Sequence, residues 1–195
     1  SFFHKEKFKK PFIRAKIAMS SDHKSVFTSK QRKWITGIPA RNDVQKLRAE
    51  ADIILTGSGT INEDSPSMNV RAKKIIANKN FVQPARYVFS NDLKLDWAAP
   101  FFKLQGQKVV VTSKKNLPKL PQGISDISVM SLQNKNPISS KDFVKEISKL
   151  NINNILIEAG PKLLGSFGDH NLIDEYIFYI SQEKLGDKAL YFYGG

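Results

Sequence analysis

The segment Asn154-Ile155-Leu156-Ile157-Glu158-Ala159-Gly160-Pro161-Lys162-Leu163-Leu164-Gly165 sets out residue types in an order that suits ligand chemistry. Asn154–Glu158 reads as a strand that delivers Glu158 to its C-terminal end, where ligands of open α/β sheets bind. Gly160 lets the backbone turn close to a ligand. Pro161 suits the start of a helix over Lys162–Phe167, whose free N–H groups can receive a phosphate. The same residues also suit an ordinary strand–turn–helix junction with a solvated carboxylate. Pattern alone leaves both open.

Thr56-Gly57-Ser58-Gly59-Thr60 is a second glycine turn at a strand end. Asn62 stands where G-x-G-x-x-G needs its third glycine, and the Gly-Lys-Ser/Thr of a P-loop is missing. Nor is it a G-x-S-x-G elbow, so Ser58 makes a poor nucleophile. A tight turn and a phosphate cradle both remain open. Arg48 and Arg71 are two of only 6 arginines beside 25 lysines. Their planar forks suit a shared phosphate, against the plainer reading of two exposed surface arginines. His4, His23 and His170 lack ligand spacing and there are no cysteines, so no metal site is expected. Hydrolysis is poorly served by such a set, and a borrowed cofactor would carry the hard chemistry.

These residues must be held by alternating strands and helices. Phe12–Met19 alternates Ile13, Ala15, Ile17 and Met19, the period of a strand. Pro39–Glu50 reads as a helix with a core-facing stripe of Ala40, Val44, Leu47 and Ala51. Asp52–Thr56, Arg86–Phe89, Lys108–Thr112, Ile127–Leu132 and Tyr176–Ile180 are further strands. Ser139–Leu150 is a capped helix bearing Phe143, Val144, Ile147 and Leu150 on one face. Gly57–Thr60 reads as a turn, and Pro66–Pro84 and Asn116–Gly123 as loops. The pattern predicts an α/β fold: a single three-layer domain with a mostly parallel mixed sheet flanked by helices.

Bulk properties narrow the function further. With 195 residues the chain fits one ordinary domain, and no apolar run reaches the roughly 20 residues of a membrane span. The N-terminus lacks a signal peptide's apolar core, which leaves a cytoplasmic location as the default. The net charge of +13 falls mostly in the N-terminal quarter and is carried mainly by lysine. No helix-turn-helix or aromatic RNA-binding pattern accompanies it, so nucleic-acid binding is not expected.

Several stretches in order resemble one family. They are Pro11–Ser20 (PFIRAKIAMS), Lys33–Thr36 (KWIT), Asp43–Glu50 (DVQKLRAE), Ile54–Thr60 (ILTGSGT), Asp64-Ser65-Pro66 with Val70-Arg71, Leu156–Pro161 (LIEAGP), Asp174-Glu175 and Lys184-Leu185-Gly186. Together they are similar to the reductase domain of bifunctional riboflavin-biosynthesis deaminase–reductase proteins. The resemblance implies a dihydrofolate reductase-like fold, a homodimer, and NADPH as cofactor. It implies reduction of 5-amino-6-(5-phosphoribosylamino)uracil to the ribitylamino compound, by ring opening to an imine and hydride delivery to C1′. Residues 1–195 would be the reductase domain. Residues 1–10 would be a linker, with a zinc deaminase domain upstream of Ser1 and the last strands beyond Gly195.

By the same resemblance, Lys16 and Glu158 serve proton transfer, and Arg32, Arg48, Met68, Arg71 and Glu158 bind substrate. Ala18, Trp34, Thr60, Asp64, Asn91, Gly160, Pro161, Lys162, Leu163, Leu164, Gly165 and Ser166 hold the cofactor. The chain departs from the family's pattern at four places. His23 stands at a usual Gly, Arg32 at a small hydroxyl residue, Ser65 at a second Asp, and Ser90-Asn91 at an Asp-Ser pair. Two alternatives remain: a reductase of the 2,5-diamino-6-ribosylamino-pyrimidinone phosphate, and a non-catalytic basic binding module of the same fold.

Overall fold

The computed structural model describes residues 2–26, 37–123, 126–133, 137–187 and 189–191. Its strands are β1 (Phe12–Met19), β2 (Lys24–Val26), β3 (Ile53–Gly57), β4 (Ala85–Phe89), β5 (Lys108–Ser113), β6 (Ser128–Leu132), β7 (Asn154–Ile157), β8 (Glu175–Ile180) and β9 (Leu190–Tyr191). The helices are α1 (Phe2–Phe8), α2 (Ile38–Ala49), α3 (Ser58–Asp64), α4 (Lys73–Ile76), α5 (Pro100–Lys103), α6 (Ser140–Ile147) and α7 (Pro161–Gly168), with a 3-10 helix over Lys114–Lys119.

Seven strands form one sheet in the order β6-β5-β4-β3-β7-β1-β8. Every pairing in it is parallel. The antiparallel component lies apart, in the ribbon of β2 with β9. Parallel strands end on the same side, so the C-terminal ends of β1, β3, β4, β5 and β7 share one rim.

Alternation along the strands sorts side chains onto two faces. On one face Ile13, Ala15, Ile17, Leu55, Phe89, Val111 and Ile157 pack against Phe143, Val144 and Ile147 of α6 and Leu164 and Phe167 of α7. On the other, Ile54, Val88 and Val110 pack against Ile61 of α3 and Phe101 and Phe102 of α5. The expected three-layer domain is therefore present. Ser139 caps α6, its hydroxyl accepting the Asp142 N–H, as the sequence suggested.

Local readings shift at several points. The Gly57–Thr60 turn is the start of α3, because the chain passes from β3 straight into a helix without a loop. Phe2–Phe8, inside the stretch expected as a linker, forms α1. The expected loops hold α4 and the 3-10 helix, both too short to leave a periodic signature. His23 keeps the turn expected of glycine, adopting φ of 60° despite its side chain. No helix among the described residues is long and apolar enough to cross a membrane.

The helix α2 differs most in its packing. Its expected stripe of Ala40, Val44, Leu47 and Ala51 is only half-buried, and Arg48 is its buried residue. The cause lies beneath it. That face of the sheet presents Arg14 and Lys16 of β1 and Glu158 after β7, so the helix meets charged groups with charged and polar ones.

Candidate active site

β7 ends in a buried apolar run, and Glu158 follows where the backbone leaves the sheet. Its N–H still donates to the Leu55 carbonyl at 2.9 Å, which holds the residue in register beside β3. The side chain is buried at 5% exposure and would be costly there without partners. Arg48 supplies two of them: its Nε donates to Oε1 at 2.6 Å and its Nη2 to Oε2 at 3.0 Å. The Lys16 ammonium lies 3.4 Å from Oε2. Lys16 reaches it because β1 is the neighbour of β7, with Ala15 opposite Ile157.

These contacts decide the charge of the carboxylate. Burial pushes its pKa up, but the Arg48 and Lys16 charges and their hydrogen bonds outweigh burial and hold it at about 2, against an ordinary 4.5. At neutral pH Glu158 is ionised, so it accepts hydrogen bonds and has no proton to give. A group held below its unfolded value stabilises the fold above that value and loses this contribution as pH falls. Stability should therefore drop between about pH 4.5 and pH 2. Glu158→Gln should flatten that part of a urea-denaturation pH series; an unchanged slope would assign the acid loss to other carboxylates.

The two arginines meet but face different ways. Arg48 donates from Nη1 to the Asn69 carbonyl at 3.0 Å and approaches the Met68 sulfur at 3.8 Å. Its fork is thus committed inside the protein. Arg71 is exposed, with Nη1 donating to the Ser67 hydroxyl and, at 3.5 Å, to Asn69 Oδ1. Burial and the nearby Arg48 charge lower its pKa, so its surroundings favour an anion. The backbone hub at Asn69 and the left-handed Met68 (φ 47°) that shape this corner left no sequence signal.

Two helix N-termini open on the same rim. α7 starts at Pro161 behind Gly160, and α3 starts behind Gly57; neither has a side-chain cap. A Cβ placed on Gly57 would sit 3.8 Å from Leu163, so the two starts adjoin. Among the described residues, a Cβ on Gly160 would meet nothing within 4 Å, which leaves open space over the α7 terminus. Thr56, on the sheet face of Glu158, keeps a buried hydroxyl without a hydrogen-bond partner among the described residues.

The remaining expected residues distribute unevenly. Ala18 lies on the Lys16 face near the end of β1, and Thr60 and Asp64 lie on α3. Lys162 is exposed and Pro161, Leu163 and Ser166 half-buried, while Leu164 is a core residue and Gly165 is buried. Asn91 follows β4, where its Oδ1 accepts the Ile138 N–H at 2.7 Å and its carbonyl accepts Asn116 Nδ2 at 2.6 Å. That bonding ties loops together along the rim. Arg32 and Trp34 lie outside the described residues.

The sequence and fold are similar to those of known proteins. The chain is 34% identical over 186 residues to the riboflavin biosynthesis protein RibD of Haemophilus influenzae, covering 92% of this chain and 49% of that one. It is 33% identical over 164 residues to a 5-amino-6-(5-phosphoribosylamino)uracil reductase of Buchnera aphidicola subsp. Acyrthosiphon pisum, covering 80% of this chain and 78% of the relative. The chain spans about half the length of the curated RibD proteins it matches. A solved RibD structure from Acinetobacter baumannii superposes with a TM-score of 0.86 at 29% identity, covering 100% of this chain and 52% of that one. The family model of the RibD C-terminal domain matches residues 11–195, and the chain belongs to that family.

Proposed function

We propose that this chain is the NADPH-dependent reductase that converts 5-amino-6-(5-phosphoribosylamino)uracil into its ribitylamino counterpart. One observation carries the reading: a lysine–carboxylate–arginine set at the C-terminal rim, beside two uncapped helix starts. The Buchnera relative named for this reaction supports it. The residues also fit a dinucleotide. Open space over Gly160 and the free N–H groups of α7 suit its phosphates, and Lys162 adds positive charge. Bound there, a reduced nicotinamide supplies hydride to C1′ of the substrate.

The chain's own groups then have separate tasks. Lys16 gives a proton to the ring oxygen as the C1′–O4′ bond opens. Glu158 holds the Lys16 ammonium in place, and Arg48 holds Glu158. Arg71, with the exposed fork, takes the substrate phosphate, and Met68 and the Asn69 backbone shape the wall beside it. The half-length match to RibD proteins supports a bifunctional parent with a deaminase domain. In this reading the parent is a cytoplasmic homodimer.

Spectrophotometric NADPH oxidation tests the reading directly. Turnover is expected with the deaminated substrate; a folded chain that neither binds nor oxidises NADPH would end it. Arg71→Ala should raise KM for the phosphorylated substrate by roughly tenfold or more, as loss of a charge-assisted contact does. An equal loss with a dephosphorylated analogue would remove Arg71 from phosphate binding.

A further inference from the structure

The Lys16 face of the sheet carries one more functional group that the chemistry above does not use. In the parallel register Lys16 stands opposite Ile177 and Ala18 opposite Tyr179. Tyr179 therefore projects on the same face as Lys16, one pleat nearer the rim. Its hydroxyl donates to Asp43 Oδ2 of α2 at 2.7 Å. Burial pushes the phenol well above its ordinary pKa, and the Asp43 acceptor and the charges of Asp43 and Glu158 push it further. It stays neutral, and its proton stays on the bond to Asp43.

The placement of this bond gives it a consequence. α2 is poorly anchored by apolar contact, since its stripe is half-buried. Polar ties seat it instead. Arg48 holds Glu158 after β7, Gln45 Oε1 accepts the Arg71 N–H at 2.5 Å, and Glu50, just past its end, accepts Arg14 of β1 at 2.7 Å. Asp43 alone among these four reaches β8. The strand order is β7-β1-β8, so the Arg48 and Asp43 ties fall on either side of the strand that bears Lys16. With both made, α2 is pinned across Lys16 from its middle, at Asp43, and from its last turn, at Arg48. With the Asp43 tie lost, α2 loses its bond to β8 and keeps those of Gln45, Arg48 and Glu50.

We infer that Tyr179 and Asp43 form a positioning latch of the reductase site, fixing α2 across Lys16 so that Lys16 and Glu158 keep their working geometry. Both act through α2, as positioning residues. The latch rests on the reductase reading for its effect on turnover, but its effect on α2 does not.

The experiment uses the full chain with Tyr179→Phe, Asp43→Ala, Asp43→Asn and the Tyr179→Phe/Asp43→Ala double variant. Tyr179→Phe and Asp43→Ala are each expected to lower kcat roughly five- to tenfold, the effect of one lost hydrogen bond. KM for NADPH should stay unchanged. The double variant should be no slower than either single one, because both break the same bond. Asp43→Asn, which keeps an acceptor oxygen, should recover most of the rate. Amide exchange of α2 should accelerate in Tyr179→Phe and Asp43→Ala while the melting temperature moves little.

Unchanged α2 exchange and wild-type kcat in Tyr179→Phe would overturn the latch. So would independent, multiplying losses in the double variant, or a rate that falls only in step with the melting temperature. If the unsubstituted chain turns over no substrate, the reductase reading fails instead. Faster α2 exchange in the variants would then uphold the structural latch and remove its catalytic role.

Discussion

Lys16→Met is expected to lower turnover by roughly 10²–10⁴-fold, the range lost when a positioned acid or base is removed. Lys16 is the group that combines partial solvent access, at 20% side-chain exposure, with a direct contact to the buried carboxylate. Glu158 cannot substitute as a donor, because Arg48 and Lys16 hold it ionised far below neutrality. The fold should survive, since Glu158 keeps both hydrogen bonds to Arg48. Steady-state kinetics with a parallel melting curve checks the prediction. A kcat within threefold of the unsubstituted chain would take the proton from Lys16 and require another carrier.

Arg48→Met should act on stability instead, costing about 3–5 kcal/mol, the range for removing one partner of a buried ion pair. The arginine is 8% and the carboxylate 5% exposed, so solvent offers little relief. After the change, Glu158 retains among the described residues the 3.4 Å contact to Lys16, and the Asn69 carbonyl loses its Arg48 donor. Two-state urea unfolding at neutral pH measures the cost. The double variant Arg48→Met/Glu158→Leu should restore most of it, because an apolar pair of similar size removes the unpaired charge. A cost below about 1 kcal/mol for Arg48→Met would mean that water reaches Glu158.

Both predictions turn on α2, and there the sequence was least informative. Periodicity marked a helix over Pro39–Glu50, and a helix is present over Ile38–Ala49. It also placed Ala40, Val44, Leu47 and Ala51 toward a core, whereas the buried residue is Arg48. A helical wheel scores burial by apolarity, and it cannot register a face that is buried against a carboxylate. For Arg48 and Arg71 the sequence left a shared phosphate and two exposed surface positions both open. The sequence showed two forks, and only packing showed that one was already occupied by Glu158.

Elsewhere the local signals sufficed. Alternation in β1 faithfully separated Ile13, Ala15, Ile17 and Met19 from Arg14, Lys16 and Ala18, because a strand's period of two is intrinsic to its backbone. The strand and helix around Glu158, Gly160 and Pro161 were legible because an apolar run, a glycine and an N-terminal proline each act on their own stretch of chain. The ordered stretches from Pro11 to Gly186 made the family legible as well.

Sequence by itself thus determined the main strands and the longer helices, the layered α/β class and the residues at the strand ends. Tertiary structure alone decided which of those residues meet and how their charges pair. Lys16, Arg48, Glu158 and Tyr179 are separated by up to 163 positions and meet only through the strand order β7-β1-β8. Their electrostatics depend on burial and on distances of a few ångströms, and neither is a property of any local segment.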